Sequence, residues 1–286
     1  MKERPIQRRF RGSETMDGAG VRLTRLFGFG DTRPFDPFLL LDAFGSDDPD
    51  EYSAGFPWHP HRGIETVTYM LEGTVRHGDS LGSGGVIGPG DLQWMTAGSG
   101  IIHEEMPQPS PRGVHGLQLW VNLPASEKMT DPAYRGVEAA AVPRVPCEGG
   151  EVLVLAGRFG ATEGALRGIA RDPLYLDVHL EGQGRLELEI PSGHTVFAYL
   201  YRGGLARAGL ESRGDSGPVT AGECLLFGSG DSVRAEAGES GARFVLASAL
   251  PLREPVAWRG PIVMNTMEEL DLAFREYREG SFIKRR

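Results

Sequence analysis

Cysteine is scarce. Cys147 and Cys224 are the only two in 286 residues. They share no metal-ligand spacing and nothing demands that they pair, so a disulfide-built scaffold is excluded and reduced thiols are expected. A chain of this length buries its cores without such help. Long apolar runs are also missing. None approaches the roughly 20 residues that a membrane helix needs, and the basic start lacks the apolar stretch of a secretory signal. The expectation is a cytoplasmic protein with no membrane association. Positive charge is in deficit, with 30 Lys and Arg against 39 Asp and Glu, a net charge of −9. Such a chain repels nucleic acid, so no direct nucleic-acid binding is expected. The local basic cluster of Lys2, Arg4, Arg8, Arg9 and Arg11 is too short for such a site and reads as a solvated edge or strand.

Turn formers are abundant instead: 41 glycines and 20 prolines. Between them lie apolar runs of four to eight residues, among them Glu65–Leu71, Gly116–Asn122, Val152–Ala156, Leu186–Ile190, Val196–Tyr201 and Arg243–Ala249. Short runs at this spacing predict an all-β sandwich or barrel. One helix is predicted over Met267–Glu279. Thr266 and Glu269 form a capping box, Leu270, Ala273, Phe274 and Tyr277 share a face, and Gly280 stops it. A shorter helical turn is expected around Ser126–Tyr134. The stretch Ala139–Gly150, with two prolines and a Gly pair, reads as a linker. The predicted domains are therefore 1–138 and 150–286, with the linker at about 139–149. The halves are loosely alike, which suggests two copies of one barrel. A closed barrel pair exposes few strand edges, so a monomer is expected.

Five of the seven histidines fall in the first half. His59-Pro60-His61 puts two imidazoles on one side of an extended chain, because residues two apart share a strand face. His103-Glu104-Glu105 does the same for His103 and Glu105. On neighbouring strands the two pairs would offer three imidazoles and a carboxylate to one metal ion. Octahedral coordination would leave two positions open. Glu65, four residues after His61, competes with Glu105 for the carboxylate role, and pattern alone leaves the choice open. His77 lies in a polar turn and reads as solvated. His115 reads as buried or capping, and borders the cavity only if it faces with Leu117 and Leu119. His179 and His194 lie far apart and read as structural. Gly82-Ser83-Gly84-Gly85 lacks the Gly-Lys-Ser/Thr ending and helix of a phosphate loop, and Gly98-Ser99-Gly100 lacks the nucleophile-elbow pattern.

At these residues the chain resembles the pirin family of the cupin superfamily. The matching segments are His59-Pro60-His61-Arg62-Gly63 with Glu65-Thr66, Gly90 to Gly98, Ile102-His103-Glu104-Glu105-Met106, and His115 to Pro124. Pro251 to Pro255 and Val263 to Thr266 look like the family's closing motifs. The resemblance implies a bicupin: two jelly-roll-like β-barrels face to face with a C-terminal helix. It implies one metal in the N-terminal barrel, held by His59, His61, His103 and Glu105, and none in the C-terminal one. Iron(II) is the expected ion, with Cu, Ni, Co, Mn or Zn as alternatives. The implied activity is that of a quercetin 2,3-dioxygenase, which cleaves a flavonol-like phenol with O2 and releases carbon monoxide, with Glu105 doubling as the base. The alternative is a non-enzymatic, iron-dependent regulator that binds partner proteins. Trp58 stands where many pirins carry Asp, so a different cavity rim is expected.

Overall fold

Alternating apolar and polar residues between glycine turns make this a chain of antiparallel strands. The computed structural model describes residues 1–209 and 217–284. Contacts divide the chain into two compact units, neither of them a single stretch of sequence. One, the amino-terminal unit, comprises Ser13–Thr32, Asp36–Ala140 and Leu252–Arg286. The other, the carboxy-terminal unit, comprises Met1–Gly12, Arg33–Phe35 and Ala141–Pro251.

The amino-terminal unit pairs two sheets. The larger has seven strands, in the order Ala133–Val137, Leu92–Thr96, Ile64–Glu72, Val114–Asn122, Phe38–Ser46, Val21–Phe27 and Ser13–Asp17. The smaller has four: Phe56–His61, Ile101–Gln108, Thr74–Asp79 and Gly84–Ile87. Leu23, Phe44, Met70 and Val114 from the first sheet pack with Val75 and Ile87 from the second. The chain's end belongs to this unit. A hairpin, Ala257–Arg259 with Ile262–Met264, carries the helix Met267–Arg278, whose Leu270 and Ala273 pack with Phe282 on Ile262 and Met264. The helix forms as its sequence signals require, with both capping-box bonds present.

The carboxy-terminal unit is built on a seven-stranded sheet whose strands run as long as the 18 residues of Ser232–Ala249, with a small two-stranded ladder of Arg158–Phe159 and Thr162–Glu163. Register shifts interrupt these strands, as between Leu180 and Arg185, and such bulges bend a strand. The basic first strand, Ile6–Arg11, is an edge of this sheet and pairs with Glu223–Phe227. Arg9 forms an ion pair at 2.9 Å with Glu223, whose carboxyl is held down at about 2 by its Arg9 and Thr220 hydrogen bonds.

Two local expectations are corrected. The stretch read as a linker holds a short 3-10 turn at Ala139–Ala141, and then the strand Arg144–Ala156 begins. Pro146 is tolerated because that strand is the other sheet edge, where a missing N–H costs no ladder bond. The helical turn expected around Ser126–Tyr134 is only the 3-10 segment Ala125–Glu127, and Tyr134 lies in the strand Ala133–Val137. Among the described residues no helix is long and apolar enough to cross a membrane.

Candidate metal centre

The strands Phe56–His61 and Ile101–Gln108 are antiparallel neighbours, with His103 directly opposite His59. Alternation then brings His61 to the same side. The ring centroids of His59 and His103 are 4.4 Å apart, and those of His61 and His103 5.0 Å. One ligand atom from each of the three histidines lies within 4.8 Å of the others. After His61 the chain reverses at Gly63 (φ +77°), where a Cβ would sit 1.9 Å from the Val263 carbonyl oxygen. Buried Lys128 locks that turn, donating to the Gly63 and Val263 oxygens and to Asn122 Oδ1 at 2.7–3.0 Å. Desolvation lowers its pKa to about 7, opposed by Glu254 and Glu269. Arg62, 2% exposed, ties the same turn to Ser99, Phe282 and Glu276.

Hydrogen bonds fix two of the tautomers. The Pro57 carbonyl oxygen lies 2.8 Å from His59 Nδ1, and the Pro261 carbonyl oxygen 3.0 Å from His61 Nδ1. A carbonyl only accepts, so both Nδ1 atoms carry hydrogen and both Nε2 atoms present lone pairs. Those two Nε2 atoms are 3.0 Å apart. Lone pairs so close repel unless an electrophile, a proton or a metal ion, lies between them. Burial disfavours the proton: it pushes the pKa of His61, and likewise of His103, well below the usual imidazole value, with the neighbouring histidines adding to the effect. Both ring nitrogens of His103 are buried without a partner among the described residues. The donor set therefore fits a divalent metal ion, and Nδ1–H bonded to a backbone carbonyl is the usual outer support of a metal-binding imidazole.

Glu105 stands on the same strand as His103, with a register shift between them. It is buried, accepts from Thr68 Oγ1 at 2.8 Å, and lines the same cavity as His59 and His61. Burial raises its pKa, against the charge of His59 and the Thr68 bond. Glu65 is elsewhere. It lies beyond the Gly63 turn on the strand Ile64–Glu72, three residues from Thr68, and so on the opposite face. There it accepts from Thr96 at 2.7 Å, its other oxygen is buried without a partner among the described residues, and burial pushes its pKa to about 7.

The cavity has a volume of about 530 Å³. His61 meets Trp120 edge to face at 5.0 Å, Trp120 contacts Trp258 at 5.8 Å, and Trp258 contacts Phe29, which is 75% exposed. Trp58 is 53% exposed and is not on the cavity wall, so the expected change of rim does not follow from it. His77 is not solvated. It is buried on the strand Thr74–Asp79, stacks on Tyr134 and takes that hydroxyl at 2.5 Å. His115 is half-exposed and bonded to Asp47, and it is Gln118 and Trp120 of its strand that reach the cavity. His179 bonds Asp177 and Tyr201, and His194 bonds Ser248. The sequence reading missed Thr68, Gln118, Asp42, Arg25 and Trp258 on the wall. Gln118 lies within the family-like stretch His115 to Pro124. The others carry no local signal.

Two antiparallel β units, one with a cluster of three imidazoles beside a cavity, define a bicupin. The family model Pirin matches residues 20–121, and the model Pirin C-terminal cupin domain matches residues 175–283. A Pseudomonas aeruginosa protein named "Putative quercetin 2,3-dioxygenase PA3240" is 46% identical over 275 residues, covering 94% of each chain. Human pirin is 41% identical over 268 residues, covering 93% of this chain and 89% of its own. A crystal structure of quercetin 2,3-dioxygenase from Acinetobacter baumannii superposes with a TM-score of 0.87 at 31% identity, covering 98% of each chain. This chain belongs to the pirin family.

Proposed function

We propose that the protein is a dioxygenase that opens a flavonol-like phenol with O2 at one iron(II) ion held by His59, His61, His103 and Glu105. The observation that carries the metal is the pair of facing Nε2 lone pairs 3.0 Å apart in a part-buried site. A bound iron ion would supply Lewis acidity and one-electron redox chemistry at a single point. The protein's own part is positioning. Trp120 and Trp258 give the cavity flat aromatic walls, which suit a planar ring system. Glu105 is placed to take the phenolic proton on a carboxylate oxygen. Thr68 holds one of its oxygens in place. The apolar lining from Leu23, Leu40 and Phe44 keeps water from the bound ring. The names borne by the Pseudomonas and Acinetobacter proteins support the reaction class.

The test is anaerobic loading with iron(II), then quercetin and O2, following loss of flavonol absorbance and release of carbon monoxide. Turnover that needs iron and disappears in His59→Ala and Glu105→Ala supports the enzyme. One equivalent of iron bound without turnover on any flavonol overturns it and favours the metal-dependent regulator. Metal content far below one equivalent overturns the centre itself.

A further inference from the structure

The three imidazoles of the centre are oriented by different means. His59 Nδ1 meets the carbonyl of Pro57, two residues away on its own strand, at 2.8 Å. His103 has no such partner among the described residues. His61 Nδ1 meets the carbonyl of Pro261, 200 residues away, at 3.0 Å. Pro261 lies in the turn of the terminal hairpin, between Ala257–Arg259 and Ile262–Met264. His61 therefore keeps its orientation only while that hairpin stays against the chain around Gly63.

These two stretches of backbone meet more closely than side chains permit. A Cβ at Gly63 would lie 1.9 Å from the Val263 carbonyl oxygen. Val263 N donates to the Arg62 oxygen at 3.1 Å. The Gly63 and Val263 oxygens converge on Lys128 Nζ, at 2.8 and 3.0 Å, and Asn122 Oδ1 is the third acceptor at 2.7 Å. An ammonium has three hydrogens, and here each has its oxygen. Lys128 is 1% exposed, and all three of these partners are uncharged. A buried ammonium held by neutral oxygens is costly, and an apolar side chain would serve packing alone better. What the ammonium does that an apolar group cannot is hold two carbonyl dipoles against each other. Without it they face one another across a dry gap and repel, and the two backbones part.

We propose that Lys128 is a positioning residue of the metal centre: it clamps the terminal hairpin to the Gly63 turn, so that Pro261 keeps His61 Nε2 aimed at the other imidazoles. The inference rests on the metal reading of this site and deepens it. The clamp acts on one imidazole of the three. His59 keeps its own support on its own strand, so a change confined to His61 is the mark of this role.

The test is made on Lys128→Met, which keeps the apolar reach and removes the donors, with Lys128→Leu as the second variant should the first fail to fold. Both measurements are made at pH 6, where Lys128, with its pKa at about 7, is an ammonium and the buried His61 ring is still neutral. The first is nitrogen-15 NMR of the histidine rings in metal-free protein. For His61 the ratio of the Nδ1–H to the Nε2–H tautomer should fall about fivefold in the variant, the value of one neutral hydrogen bond, and His59 should not change. The second is the zinc dissociation constant, by competition with a chromophoric chelator. It should rise about tenfold, as expected for loss of an outer support. Val21→Ala, which truncates a side chain 0% exposed in the core of the same unit, controls for destabilisation and should move neither readout. A His61 tautomer ratio that stays as in wild type overturns the role of Lys128, whatever zinc does. A shifted ratio with unchanged zinc affinity overturns the link to the metal. Failure of the wild type itself to bind zinc overturns the metal reading, and this inference with it.

Discussion

The two units share an antiparallel all-β design and differ in what they point inward. In the carboxy-terminal unit the inward set is aliphatic or aromatic: Val152, Val154, Leu176, Val178, Leu188, Leu225, Phe244 and Leu246 belong to one continuous buried cluster. In the amino-terminal unit the inward positions include His59, His61, Glu105, Thr68, Gln118 and Asp42 around an open cavity, with His103 packed against the two imidazoles. A β unit filled to close packing has no room for a ligand. A unit that keeps polar groups inside forgoes part of its burial energy and holds a site. The sheet plans differ as well, but the groups that make the site stand at alternating strand positions.

The largest expected effect tests the filled unit. Phe244→Ala removes a ring that is 1% exposed at the centre of its core. The expected cost is about 3–5 kcal/mol, read as a lowered denaturation midpoint of that unit. Metal content should stay at one equivalent, because every candidate ligand lies in the other unit. Metal loss alongside the destabilisation would break the comparison.

Next in size is His103→Leu, which makes the open unit resemble the filled one. Both His103 nitrogens are buried and unpartnered. Metal affinity should fall by at least about a hundredfold, as loss of even an outer support can cost that much. The metal-free protein should become more stable, by about 1–3 kcal/mol, because an unsatisfied polar group gives way to an apolar one. A chelator-treated variant that melts below chelator-treated wild type would count against the assignment of that imidazole.

These contrasts were legible in the sequence to different depths. The imidazoles were visible because strand alternation is local: two residues apart means one face, and register did the rest. The choice between Glu65 and Glu105 was not visible from counting. Four residues from His61 to Glu65 suggests the same face only if the strand is continuous, and the Gly63 reversal breaks it. Both ends of the chain escaped a linear division. The first strand pairs with Glu223–Phe227, and the last hairpin brings Trp258 and Pro261 to the cavity. No local pattern encodes pairing across 200 residues. Thr68, Gln118, Asp42 and Arg25 were equally hidden as a group, since they come from four separate strands.

A smaller effect separates the two carboxylates by pH. Burial raises Glu65 from 4.5 to about 7, against the Thr96 hydrogen bond and the charge of Arg135. A carboxyl raised in the folded state holds its proton there more tightly than in the unfolded chain. Its contribution is therefore fully present below about pH 4.5 and is lost as pH rises through about 7. Glu65→Gln keeps the shape and removes the titration. At pH 8 the variant should be more stable than wild type by about 2–3 kcal/mol, and at pH 4 the two should agree. Chemical denaturation of chelated protein at the two pH values checks this. Equal stabilities at pH 8 would mean that Glu65 ionises freely, against its place on the closed face.

The smallest effect asks whether the chain's end belongs to the unit that holds the site. Thr266 Oγ1 accepts from Glu269 N at 3.2 Å, and Glu269 Oε2 accepts from Thr266 N at 3.0 Å. The helix they start lies on the hairpin whose Pro261 oxygen orients His61. Thr266→Ala should cost about 1 kcal/mol. Amide exchange along Met267–Arg278 should quicken about fivefold, the same free energy expressed as a rate. Amides of the carboxy-terminal unit, such as those of Ser232–Ala249, should not change. If they quicken equally, the helix is held by both units, and the division that separates a filled barrel from an open one must be redrawn.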